Sequence, residues 1–182
     1  MREVLPQRLW IGTAHDARDL RMLHATGIEA VVDLAIEESP ALLPRELISC
    51  RFPLRDGTGN SPQVIEIAMS TIQQLVRRNV PTLVSCSAGL SRSPAIVACV
   101  LAIEQHETAD AALRRLALTG HSDVSPGLWS ELKTLECSPS QPVETSANPP
   151  NFVSTSMRCE RVEAVLRSSL PEQNQRTAPN LK

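Results

Sequence analysis

Apolar and polar positions over the first three quarters of the chain switch between two periods, and that alternation predicts the elements. The run RLWIG (8–12) is short and apolar, as a strand is. AHDARDLRMLHATG (14–27) carries Leu20, Met22 and Leu23 inward and stops at Gly27, which predicts a helix. IEAVVDLA (28–35) and LISCRFPL (47–54) predict the next strands; the first is almost continuously apolar, which suits a sheet covered on both faces. SPQVIEIAMSTIQQLVRR, from residue 61, opens with Ser61 as a cap and Pro62 as first helical residue, and turns Val64, Ile67, Ile72, Leu75 and Val76 to one side. VPTLVSC (80–86) predicts a strand, and SRSPAIVACVLAIEQ (91–105) an apolar helix whose Pro94 is tolerated only in the first turn. Two more helices are expected at 108–119 and 125–136, each begun by Thr or Ser. Strands that alternate with helices predict one α/β domain, with a central, mostly parallel sheet of about four to five strands flanked by helices.

The pattern lapses at residue 137. CSPSQPVETSANPPNFVSTS is rich in Ser, Pro, Thr and Asn, so the domain is expected over 1–137 and a disordered tail over 138–182. Within that tail, Val162, Val165 and Leu166 fall at helical spacing and predict a short amphipathic helix at 157–170.

Composition narrows the picture further. The chain has 182 residues, 42% hydrophobic and 21% charged, enough for one sizeable core. With 18 Lys and Arg against 20 Asp and Glu, no global field draws the chain to nucleic acid or to a membrane, so an anion site must be local. Five cysteines (Cys50, Cys86, Cys99, Cys137, Cys159) are widely spaced and include no CxxC pair, which speaks against a disulfide framework and a structural metal. The four histidines lack partners at metal-ligand spacing. No cofactor and no metal are expected. Neither an apolar leader nor a run near the ~18 residues of a membrane span is visible, so the expected setting is a reducing cytoplasm and the expected state a monomer. Cys50 and Cys99 sit in apolar patterns and are expected in the core, although a redox pair between Cys50 and Cys86 stays open.

The chemistry gathers in VSCSAGLSRSP (84–94), which joins a buried strand to a buried helix. Open α/β sheets place ligands at such junctions, because the first N–H groups of the helix lack partners. The amides of Ser87, Ala88, Gly89, Leu90, Ser91 and Arg92 can curl around a tetrahedral dianion, with Gly89 permitting a positive φ. Arg92 adds a planar fork of charged donors. The same field favours the thiolate of Cys86, making it a nucleophile aimed at a bound phosphorus. The Ser93 hydroxyl is placed to hydrogen-bond the sulfur when it leaves again. A general acid is still needed, and Asp56, in the Gly-rich turn RDGTGN after the strand that ends at Leu54, is the best-placed candidate.

CSAGLSRSP resembles the C-x5-R-[ST] signature of cysteine-dependent protein phosphatases, in the AGxSRS form of the dual-specificity subfamily. LPQRLWIGTAHDARDLRMLHATGIEAVVDLA is similar to that subfamily's opening strand, helix and strand, Asp56 stands 30 residues before the cysteine as its acid does, and DVSPGLWSEL resembles its last helix. The resemblance covers residues from about 4 to 136. It implies a nucleophile at Cys86, a phosphate-binding arginine at Arg92, a hydrolysis-assisting hydroxyl at Ser93, a general acid at Asp56 and phosphate-binding amides over Ser87 to Arg92. It also implies metal-independent chemistry through a phospho-cysteine, acting on a phosphorylated protein or a small phosphomonoester.

Two features depart from the family. The residue before the cysteine is Ser85 where the family usually has His, which implies a weaker thiolate, and Pro126 and Gly127 stand where the last helix often carries Asn. With no Tyr, two Phe and two Trp, little aromatic material is available for a deep phosphotyrosine slot, so a shallow, tolerant site is expected. The loop interior carries no Lys or Arg, which argues against inositol phospholipids. The competing reading is a pseudophosphatase module that binds phosphate without turnover.

Overall fold

The computed structural model describes residues 1–136; the domain edge expected at 137, the tail at 138–182 and its helix at 157–170 lie outside the described residues. Five strands, β1 (Arg2–Leu5), β2 (Leu9–Thr13), β3 (Ala30–Ala35), β4 (Ile48–Leu54) and β5 (Thr82–Cys86), form one sheet in the order β1-β2-β5-β3-β4. All neighbours pair in parallel except β1, which folds back antiparallel on β2. The expected α/β architecture is present. β1 escaped the hydrophobic pattern because it is an edge strand, and none of its four residues is buried.

Five helices cover the sheet: α1 (Leu20–Thr26), α2 (Pro62–Arg77), α3 (Arg92–Gln105), α4 (Ala109–Thr119) and α5 (Pro126–Glu136). Strand alternation sorts the core into two layers. Leu9, Ile11, Val32, Leu34, Val84 and Cys86 share a cluster with α2 through α5, while Trp10, Val31 and Leu83 pack with Ala17, Leu23 and Ile28 on the α1 side. Helix α3 is buried without interruption from Arg92 to Ala102, wedged among the sheet, α2, α4 and α5. That explains its lack of a polar stripe. Burial of Ile96 and Leu101 alone contributes about 1.5–3 kcal/mol each.

The helix expected over 14–27 is divided. Asp16 turns its carboxylate back to Thr13 N and Oγ1, at 2.8 and 3.0 Å, and Asp19 accepts from Met22 N at 3.0 Å. Residues Asp16–Arg18 therefore form a separate 3-10 turn, and α1 starts after its own cap. Leu23 is buried there, whereas Leu20 is 44% exposed. In α2 the inward stripe is Ile65, Ala68, Ile72 and Val76, and Ile67, expected on the inward side, faces out. Ser61 does not cap the backbone; its hydroxyl donates to Gln63 Oε1 at 2.8 Å.

The register also removes the Cys50–Cys86 redox pair. Cys50 is level with Val32, and Val32 with Val84, so Cys50 sits two strands, about 10 Å, to one side of β5 and two residues short of Cys86. A disulfide needs Cα atoms within about 7 Å. Cys99 is buried as expected, while Cys50 is only half-buried, and that burial pushes its thiol pKa up.

Candidate active site

Strand β5 ends at Cys86 and α3 begins at Arg92, so the loop 87–91 sits at the carboxyl edge of the sheet's central strand. Gly89 sets its curvature with φ of 71°, and a Cβ there would lie 2.9 Å from the carbonyl oxygen of Gly12. Three loop carbonyls are held from outside. Ser87 O accepts from Ala14 N at 3.2 Å, Leu90 O from Asp123 N at 2.8 Å, and Ser91 O from Ala95 N at 2.9 Å. In a trans peptide the next N–H points the opposite way, so the amides of Ala88, Ser91 and Arg92 are directed away from those partners. Three of the loop's carbonyls are thus tied back to groups outside it.

The four side chains singled out in the sequence converge on this loop. Cys86 is 1% exposed, and its Sγ lies 3.2 Å from Ser93 Oγ, in the first turn of α3. Arg92, 2% exposed, donates from Nη1 to Glu37 Oε2 at 2.6 Å and to Leu54 O at 3.0 Å, and from Nη2 to Glu37 Oε1 at 2.5 Å. Burial alone would lower the guanidinium pKa, but its hydrogen bonds to the Glu37 carboxylate, with the neighbouring Cys86 and Asp56, raise it. Glu37 is held below the usual carboxylate range, first of all by its hydrogen bonds from Arg92. Asp56 reaches the loop through Ser91, whose Oγ donates to Asp56 Oδ1 at 2.5 Å and accepts from Ser125 N at 3.0 Å. Among the other loop residues, Gly89 and Ser91 are buried, Ser87 is half-buried, and Ala88 and Leu90 face outward.

Asp56 stands on a braced turn rather than a loose one. Asn60 Oδ1 accepts from Arg55 N at 2.7 Å, and its amide donates to Gly57 O at 2.9 Å. From α5, Glu131 accepts from Gly59 N at 2.5 Å and from Asn60 Nδ2 at 3.1 Å. Desolvation would raise the Glu131 pKa, yet these donors outweigh it and lower it. Glu37, Glu38 and Glu131 were missed in the sequence. The pair Glu37–Glu38 directly after an apolar strand was the available signal.

Ser85 faces the opposite side of β5 from Cys86, fully buried, with Oγ 3.4 Å from Val32 O. It borders a small hollow lined by Ala14, Ala17, Arg18, Asp33, Ser39 and Ala41. A roomier concavity of about 410 Å³ lies between α4 and α5, against Leu113, Arg114, Val124 and Trp129, and contains none of the four converging side chains. Among the described residues, no cluster of three His, Cys, Asp or Glu side chains is placed to hold a metal ion, and no helix is long and apolar enough to cross a membrane.

A family model described as "Polymorphic toxin system, DSP-PTPase phosphatase" (Tc-R-P) matches residues 8–106, from the start of β2 to the end of α3. The chain belongs to this family. This DSP-PTPase phosphatase is also similar in fold to human DUSP28, with a TM-score of 0.67 and 22% identity over 75% of this chain and 95% of that one. DUSP15 aligns with a TM-score of 0.60 at 22% identity over 76% and 88%, and the human tyrosine phosphatase-like serine/threonine/tyrosine-interacting protein with 0.63 at 19% over 75% and 95%. No curated protein matches.

Proposed function

We propose that this chain is a phosphomonoester hydrolase acting on phosphotyrosine and phosphoserine or phosphothreonine, or on a small phosphomonoester, through a phospho-cysteine. The observation that carries this reading is the convergence of Cys86, Ser93, Arg92 and Asp56 on one amide-lined loop. The amides from Ser87 to Arg92 and the Arg92 guanidinium bind the phosphate oxygens. The Cys86 thiolate attacks phosphorus; the S–P bond forms as the P–O bond to the leaving group breaks, and Asp56 gives its proton to the departing oxygen. Water then attacks the phospho-cysteine, Asp56 takes its proton, and the S–P bond breaks as the Ser93 hydroxyl donates to the emerging thiolate. The products are the alcohol or phenol and inorganic phosphate, and Cys86 and Asp56 return to their starting protonation.

A second reading is favoured by the burial of Cys86 and by the absence of a histidine at Ser85: a pseudophosphatase that holds phosphate without turnover. Turnover of para-nitrophenyl phosphate, measured for the native chain and for Cys86→Ser, separates them. The native chain should turn over and the variant should not. Equal rates for both, or none for either, would refute the enzyme reading.

A further inference from the structure

Arg92 has five N–H donors. Three are committed within the protein: both Nη1 hydrogens, to Leu54 O and Glu37 Oε2, and one Nη2 hydrogen, to Glu37 Oε1. The remaining Nη2 hydrogen and the Nε hydrogen leave the same edge of the planar group side by side, spaced for two oxygens of one tetrahedral anion. Nε is buried and has no protein acceptor. Buried donors are rarely left so. The end-on grip of Glu37 therefore decides which edge of the guanidinium remains for a ligand.

Glu37 is itself braced. Arg51 Nη2 donates to Ala35 O at 3.1 Å and to Glu38 O at 2.6 Å, on either side of it in the chain. The adjacent Glu38 accepts from Ser87 Oγ at 2.7 Å and from Arg18 Nη2 at 3.1 Å. Two successive carboxylates thus hold the two ends of the loop, Glu38 its first residue and Glu37 the arginine that follows it. The Glu37 side chain is 49% exposed, so its removal leaves no hole in the core.

We propose that Glu37 is a positioning residue, which holds Arg92 end-on so that the Nε/Nη2 edge faces the bound phosphate. Glu37 is not a competitor that phosphate must displace. This inference rests on the phosphate-cradle reading of the loop.

The test is calorimetric titration of inorganic phosphate into the full chain carrying Cys86→Ser, alone and combined with Glu37→Ala, Glu37→Gln or Glu37→Asp, with thermal melting of each. Glu37→Ala and Glu37→Gln should weaken phosphate binding about 10- to 100-fold, the range for a charge-assisted hydrogen bond, while melting moves little. Glu37→Asp, which keeps the carboxylate, should recover most of the affinity. Unchanged binding in Glu37→Ala would make Glu37 a bystander, and tighter binding would make it a competitor; either overturns the proposal. Failure of the Cys86→Ser chain with Glu37 intact to bind phosphate would refute the cradle reading itself, and the role of Glu37 with it.

Discussion

Two glycines share nearly the same φ and differ in what surrounds them, which makes Gly89→Ala a quantitative test of the cradle. Gly27, at the C-terminal end of α1, has φ of 73°, and an added Cβ would meet nothing within 4 Å. Its replacement by alanine should therefore show the left-handed penalty alone, about 1 kcal/mol. Gly89 carries the same penalty at φ of 71°, and its Cβ would also press on backbone, 2.9 Å from Gly12 O and 3.0 Å from Gly12 C. Neither side can turn away as a flexible side chain would, because Gly12 is itself locked in the β2–β5 ladder. Overpacking of this kind adds about 1–3 kcal/mol, for a total of about 2–4 kcal/mol. At about 3 °C per kcal/mol for a domain of this size, Gly27→Ala should lower the melting midpoint by about 3 °C and Gly89→Ala by about 6–12 °C. Relief of the clash also displaces the loop amides by a few tenths of an ångström, which should reduce kcat/KM on para-nitrophenyl phosphate about tenfold or more. Thermal melts and steady-state kinetics on both variants check this. If Gly89→Ala melts with Gly27→Ala and retains its kcat/KM, the loop is neither pinned to β2 nor shaped for phosphate.

Other outcomes follow from the acid and from the floor of the loop. Asp56→Asn should slow an alkyl phosphate strongly and para-nitrophenyl phosphate less, since the better leaving group needs less protonation; equal slowing in parallel assays would remove Asp56 from its role. Glu131→Gln should reproduce that selective loss in weaker form, about threefold to tenfold on the alkyl phosphate, because it loosens the turn that carries Asp56 without touching the loop; a loss equal on both substrates would contradict this. Ser85→His would turn an imidazole toward Arg18 and Asp33, one residue before Cys86, and its protonated form should favour the Cys86 thiolate. The acidic limb of the pH–rate profile should then move to lower pH, and an unmoved limb would show that position 85 does not tune the thiol.

The elements most legible in the sequence were those whose burial is uniform. β3, β5 and most of α3 are buried between layers and largely apolar, so a simple run of hydrophobic residues located them. Elements shaped by particular side chains were less legible. The break before α1 depends on where the Asp16 carboxylate turns, and β1 depends on a partner strand that supplies its pairing. Four members of the candidate site were found early because Cys86, Arg92 and Ser93 share one loop and Asp56 follows a strand end. Glu37 and Glu131 were invisible by the same logic, since each acts through a contact with a residue more than 50 positions away.

By itself the sequence determined the α/β pattern, the loop with its cysteine, arginine and serine, and the glycine that lets the loop curl. These are local properties, set by residue type and spacing along a continuous stretch. Only the tertiary structure decided that Cys50 lies out of reach of Cys86, that the Asp56 turn is tied to α5, and which edge of Arg92 remains free. Those follow from strand order and helix packing, which bring distant carboxylates to the ends of a loop whose own sequence contains none.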